Sequence, residues 1–404
     1  MRLRDEISLK TSPDRNELLQ AGLQLKSWLI AFRRDLHSYP EVSLKESATA
    51  AKVAKELRSL GLDVKSDVGG HGIIADLHGS RAGRTIALRA DMDALPIQEE
   101  ADVPFASKHP GVMHACGHDA HTSILLGAAR LLVQHKEQLA GKIRFLFQPA
   151  EEVLAGAKAM VSEGALAGVD EIYGLHNLPS LSVGKVATYQ GPMLASVDRI
   201  EITVEGKGGH GAIPDQAIDP IVASSAIVMG LQTAVSREIS PFDPVVATIG
   251  SIHGGDANNV IPQRVKLTGT VRSFSPEVRK DLPSRLQRII ENIALAYRCE
   301  AVIEYERQAP ALANATAFIS HVEGIADDLI GRHNRVAAAP IMGGEDFAVY
   351  LEHVPGCFFW LGAGPEEGAE QAFGLHHPKY QLNEECLPLG ASLMAAIGMC
   401  RAET

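Results

Sequence analysis

The sequence predicts an α/β fold in two domains. A large domain is expected around a mostly parallel central sheet, with a smaller ferredoxin-like α+β domain inserted into it. Three observations carry this. Short β-type runs alternate with helical periodicity in the first half of the chain. Near residue 195 the pattern changes to a β-α-β-β-α-β order, and near 308 the first kind resumes. Finally, 404 residues exceed what one core usually supports. The expected division is 1–194 and 308–404 for the large domain and 195–307 for the insert.

Taken in order, residues 43–60 read as a helix. Ala50, Val53, Ala54, Leu57 and Leu60 recur at helical spacing, and Gly61 stands where a left-handed cap is expected. Residues 84–90, 142–147 and 171–175 are β-type runs, and 122–133 is an apolar helical segment between the first two. In sheets of this kind ligands bind beyond the carboxyl ends of strands. Asp91 and Asp93 follow the first run, Glu151 and Glu152 the second, and His176 the third. In the insert, 197–204 alternates as a half-buried strand. A helix follows at 220–236, then strands at 245–252 and 264–273, a helix at 276–297 and a strand at 300–306.

Composition excludes several functions. A net charge of -11 argues against nucleic-acid binding, which needs a basic face. No apolar run approaches the ~18 residues of a membrane span. Met1-Arg2-Leu3-Arg4-Asp5-Glu6 lacks the apolar segment of a signal peptide, and five cysteines show no framework spacing. Reduced thiols in a cytoplasm are expected.

The chemistry concentrates in Met113-His114-Ala115-Cys116-Gly117-His118-Asp119-Ala120-His121, in Pro149-Ala150-Glu151-Glu152 and in Leu175-His176-Asn177. A thiolate beside a divalent ion is deprotonated and can bridge two ions. Cys116, His118, Glu152, His176 and His376 make a five-ligand set, enough for two ions if one group bridges. A buried cysteine is otherwise a small apolar filler. His114 and His121 read as supporting or solvent-facing residues. Neighbouring side chains diverge, so of Glu151 and Glu152 one suits a ligand and the other a general base. The plainer alternative for that pair is compensation of a helix dipole. Asp91 and Asp93 could bind metal or orient a ligand histidine, or simply cap a turn. In the insert, Gly206–Pro214 displays His210 on a glycine-rich loop suited to an oxyanion. Asn259 offers an amide, Arg272 a guanidinium for a carboxylate, and the loop around Gly344 a backbone lining.

These motifs, from Arg33-Arg34-Asp35-Leu36-His37 to Leu375-His376-His377-Pro378, resemble the M20 metallopeptidase family. Within it the chain is similar to the amidohydrolase branch of hippurate hydrolases, N-acyl-amino-acid amidohydrolases and plant auxin-conjugate hydrolases. The resemblance implies a binuclear centre bridged by Cys116, with His118, Glu152, His176 and His376 completing it and Glu151 as general base. It implies substrate contacts from His210, Asn259 and Arg272, and a homodimer or larger oligomer formed through the insert. Two features separate the branch from wider relatives: Asp91-Met92-Asp93 in place of His-x-Asp, and Cys116 in place of a bridging aspartate. Pro214-Asp215 departs from relatives that carry a second histidine there.

The expected function is metal-dependent hydrolysis of N-acyl or N-aroyl L-amino acids. Zinc suits thiolate and imidazole best, with manganese, cobalt or nickel also accommodated. A dipeptidase or an N-acetyl-diaminopimelate deacetylase would use the same centre. A non-catalytic acyl-amino-acid binder would not need Glu151. A cysteine redox protein would need a second thiol near Cys116.

Overall fold

The computed structural model describes residues 15–366 and 373–403. They form two compact units. One runs to Gly191 and takes in Asn314–Ala339 and the chain from Val349. The other comprises Pro192–Ala313 and Pro340–Ala348.

The first unit is built on an eight-stranded mixed sheet. Its spatial order is Asp63–Val68, Gly72–His78, Ala140–Gln148, Arg81–Asp91, Glu171–Ser182, Gly356–Gly364, Val186–Thr188 and Arg335–Ala337. The pairings at its centre are parallel. Antiparallel pairs flank this centre on both sides, and the edge pair of Val186–Thr188 with Arg335–Ala337 is parallel again. For the first pair the cause is connection length: Gly69 and Gly70, at φ 64 and 100, turn the chain tightly between the first two strands, which allows only an antiparallel hairpin. The strand Gly356–Gly364, GCFFWLGAG, is buried at every position, as a strand covered on both faces must be. Helices His118–Gln134 and Cys386–Glu403 contribute Ile124, Leu125, Leu131, Leu393, Met394 and Ile397 to the core.

Some expected boundaries move. The first predicted helix begins at Ser47, because residues just before it make a turn with Leu44 at φ 68, and Gly61 takes φ 76 beyond its end. The helix expected over 122–133 starts at His118. The strand expected to stop at 175 continues to Ser182, so His176 lies within it rather than past its end. Pairing with the neighbouring strand, Trp360 opposite His176 and Leu361 opposite Asn177, extends it.

The second unit is a four-stranded antiparallel sheet in the order Val245–His253, Arg264–Ser273, Val197–Glu205 and Glu300–Ala309. With helices Pro220–Glu238 and Pro276–Ala296 this is the ferredoxin-like order. Each helix starts from a capping side chain and a proline. Asp219 accepts from the amides of Ile221 and Val222, and Ser275 from that of Val278. Ile200, Ile202, Val204, Ile227, Leu231, Leu286 and Ile290 form its core. No helix among the described residues is long and apolar enough to cross a membrane. Residues 1–6, read above for targeting, lie outside the described residues.

One buried ion pair sets an acid limit on stability. Glu171 is fully buried, and Arg401 Nε donates to it at 2.8 Å and Tyr173 Oη at 2.6 Å. Burial lifts its carboxyl, but those bonds outweigh it and hold the pKa below the ordinary value. The unfolded chain therefore binds this proton first, so the contribution is full above about pH 4.5 and is lost as pH falls through the folded pKa. Thermal unfolding followed from pH 6 to pH 3 is expected to show Tm falling below about pH 4.5, with the fall reduced in Arg401→Met.

Candidate metal centre

The first unit gathers all five sequence-predicted ligands. Cys116 Sγ lies 3.4 Å from His176 Nε2, and His376 Nε2 lies 3.5 Å from Glu152 Oε1. His118 Nε2 is 3.9 Å from the same Glu152 oxygen. Two groups of potential ligand atoms share the thiol: Cys116 with His118 and His176, and Cys116 with Glu152 and His376. Within each, the atoms lie within 4.8 Å of one another. His118 Nε2 and Glu152 Oε1 are buried without a hydrogen-bond partner, a costly state unless a ligand satisfies them.

Neighbouring residues orient these groups. His118 Nδ1 sits 3.1 Å from Asp93 Oδ1, leaving Nε2 to point inward. Asp93 Oδ2 also accepts from Ser43 Oγ at 2.6 Å and from the Glu152 amide at 3.0 Å. His176 Nδ1 donates to the Asn177 carbonyl at 2.7 Å, which turns its other nitrogen toward the thiol. His376 takes φ 65 and its amide donates to the Ala115 carbonyl at 2.8 Å.

His114 and His121 do not face solvent; both are 1% exposed. His121 Nε2 accepts from the Asn177 amide at 2.9 Å, so its proton is on Nδ1, 2.6 Å from Asp91 Oδ1. Arg89 Nη1 donates to the other Asp91 oxygen at 2.7 Å. Asp91 is thus spent on His121 and Arg89, whereas Asp93 serves the ligand side. His114 has neither ring nitrogen partnered, and burial lowers its pKa to about 4. Glu151 and Glu152 precede the helix Gly156–Ser162 by a turn, outside the position where compensation of its dipole acts.

The electrostatics are those of a cation site. Burial and Glu152 push the Cys116 thiol up. The nearby Cys116 thiol and Glu152 carboxylate raise His376 to about 10. Burial opposes the charge on His118, yet Asp91, Cys116 and Asp93 together hold its pKa well above 6.5. Burial, backed by His121, drives His176 the other way and keeps it neutral. The soft sulfur and nitrogen donors of this set suit a divalent ion.

In the second unit, Gly209–His210 pairs with Val260–Ile261 as a short ribbon, and the Gly211 amide donates to the Asn259 carbonyl at 2.8 Å. His210 and Asn259 are brought together there, both exposed. Arg272 lies on a separate strand and is half-buried. Its side chain has no ion pair among the described residues, and burial lowers its pKa although Asp198 opposes this. The Asp198 carboxylate is already bound by Arg279 Nε at 3.0 Å and Tyr305 Oη at 2.6 Å. Gly344 lies against this guanidinium: a Cβ there would come 2.8 Å from Arg272 Nη1 and 2.1 Å from Val197 Cγ2. Only glycine fits.

Comparison with known proteins agrees with this chemistry. A model of "Peptidase family M20/M25/M40" matches residues 87–399. The chain is 43% identical over 363 residues to an N-acetyl-L-cysteine deacetylase of Bacillus subtilis, covering 90% of this chain and 85% of that protein. It is 40% identical over 374 residues to IAA-amino acid hydrolase ILR1-like 4 of Arabidopsis thaliana, covering 92% and 84%. Among solved structures, the Bacillus subtilis YXEP protein, described as a dinuclear metal binding peptidase from the M20 family, superposes with a TM-score of 0.82. It shares 38% identity and covers 94% of this chain and 99% of that one. Matched by the family model over most of its length and by amidohydrolases nearly end to end, the chain belongs to peptidase family M20/M25/M40.

Proposed function

We propose that the chain hydrolyses the amide of N-acyl or N-aroyl L-amino acids, releasing the carboxylic acid and the free amino acid. The observation that carries this is the thiol shared by two ligand groups, with a second carboxylate, Glu151, beside them. The relatives named as an N-acetyl-L-cysteine deacetylase and an IAA-amino acid hydrolase support the substrate class.

The donor set fits two divalent cations. Cys116 with His118 and His176 would hold one, and Cys116 with Glu152 and His376 the other. Zinc suits the sulfur and imidazole donors best, with manganese, cobalt or nickel as alternatives. When bound, the cations supply Lewis acidity to the scissile carbonyl and the attacking water. Glu151 takes the proton of that water and delivers it to the leaving nitrogen. Asp93 holds His118 in one tautomer and orientation. His210 steadies the oxyanion, and Arg272, Asn259 and the Gly344 backbone receive the amino-acid carboxylate.

In this reading the inserted domain, 195–307, is both a lid and the surface of a homodimer or larger oligomer. An exposed His210 and the edge position of Val245–His253 in its sheet support that role. Five free cysteines support a reducing, cytoplasmic setting.

The test is a panel of N-acetyl, N-benzoyl and indole-acetyl L-amino acids with their methyl esters. Free acids are expected to turn over, and esters to lose about 2–5 kcal/mol of transition-state binding. Arg272→Ala should erase that preference by raising KM for the acids. Equal rates on acids and esters by the unmodified enzyme would refute carboxylate capture. Turnover only of dipeptides or a charged diamino acid would replace the substrate class.

A further inference from the structure

The turn that carries Glu151 is strained. Ala150 has φ 53 and Leu154 φ 55, a left-handed conformation that residues with a Cβ seldom adopt. The Ala155 and Gly156 amides close the turn onto the Ala150 carbonyl, each at 3.2 Å. The Ala150 amide donates outward to Glu46 Oε1 at 2.8 Å, across 104 residues of sequence. The same oxygen accepts from the Leu44 amide at 2.9 Å, and Leu44 is itself left-handed at φ 68. One carboxylate oxygen therefore holds two non-glycine residues in αL.

Glu46 stands at the N-cap of the helix Ser47–Ser59, yet its side chain makes no capping bond to that helix. It is fully buried, and its second oxygen has no hydrogen-bond partner. Burying a half-satisfied carboxyl costs stability that an ordinary cap would not. Ser43, three residues earlier, backs Asp93, which accepts the Glu152 amide. The segment thus grips the backbone on both sides of Glu151.

We propose that Glu46 is a positioning residue: by holding Ala150 left-handed it fixes the direction in which Glu151 and Glu152 project. The consequence for catalysis rests on the hydrolase reading above; the pinning of the turn does not.

The experiment compares Glu46→Ala, Glu46→Gln and the double variant Glu46→Ala/Ala150→Gly in the full metal-loaded chain. It reads amide hydrogen exchange at residues 150–152, together with kcat and KM. In Glu46→Ala, exchange at Ala150 is expected to rise about tenfold with the lost hydrogen bond. Its kcat should fall on the order of 100-fold, as for a misplaced catalytic group, with KM nearly unchanged. Glu46→Gln keeps an acceptor oxygen and should stay close to the unmodified enzyme. The double variant should regain about tenfold in kcat, because glycine takes positive φ without strain. Should Glu46→Ala fail to fold, Glu46→Asp, one methylene too short to reach Ala150, carries the same expectation. A folded variant with unchanged exchange and kcat overturns the proposal, as does a double variant no better than the single. If the unmodified chain hydrolyses nothing, the hydrolase reading fails while the exchange measurement still decides the pinning.

Discussion

Replacing Glu151 by Gln is expected to lower kcat by about 10²–10⁴-fold, the range contributed by a positioned general base. The amide is nearly isosteric, so packing around this buried, 6% exposed residue should be kept. It cannot take a proton. Glu152, its neighbour, points an oxygen toward His376 and His118 instead, so metal content should be unchanged. KM should move little, because the missing interaction belongs to the transition state. Steady-state kinetics with metal analysis on the same sample checks all three. A fall in kcat that tracks lost metal would make Glu151 a ligand rather than the base.

Gly117→Ala is expected to damage the centre without touching a ligand side chain. Gly117 lies between Cys116 and His118 at φ 85. A Cβ there would come 2.3 Å from Asn177 Nδ2 and 2.6 Å from Tyr380 Oη. Those atoms belong to a chain of bonds. Tyr380 Oη donates to Asn177 Oδ1 at 2.6 Å, and Asn177 Nδ2 donates to the Cys116 carbonyl at 2.6 Å. Left-handed strain and the forced overlap together should cost about 2–4 kcal/mol. Displacing the Cys116 backbone should weaken metal binding by about 10–100-fold, as for lost supporting contacts. Thermal unfolding and competition against a chelator measure the two effects. A variant that binds metal as tightly as the parent would show that the backbone there is free to adjust.

The candidate ligands were legible because their chemistry is rare and their position was framed by local pattern. Cys116-Gly117-His118 precedes an apolar helix, and Glu151-Glu152 follows a strand of the form Ile143-Arg144-Phe145-Leu146-Phe147. The antiparallel pairing of the first two strands of the large sheet was not legible, since the Gly69-Gly70 turn that imposes it resembles any loop. His176 was expected beyond a strand end; its strand continues because a partner more than 170 positions later pairs with it. Asp93 could be read as an orienting acid from its place after a buried strand. Its division of labour with Asp91 could not, because it depends on which carboxylate Arg89 and His121 occupy. Ser43, Glu46 and Tyr380 were missed for the same reason. Each is an ordinary turn, cap or core residue locally, and acquires a role only from distant partners.

The most direct measurement is titration of metal-depleted protein with zinc or manganese while hydrolysis of an N-acyl L-amino acid is followed. The expected result is no turnover without metal, recovery on addition, and two ions bound per chain at full activity. A metal-free chain that hydrolyses the substrate at the full rate, or a folded chain that binds no divalent ion, would contradict the centre assigned to Cys116, His118, Glu152, His176 and His376.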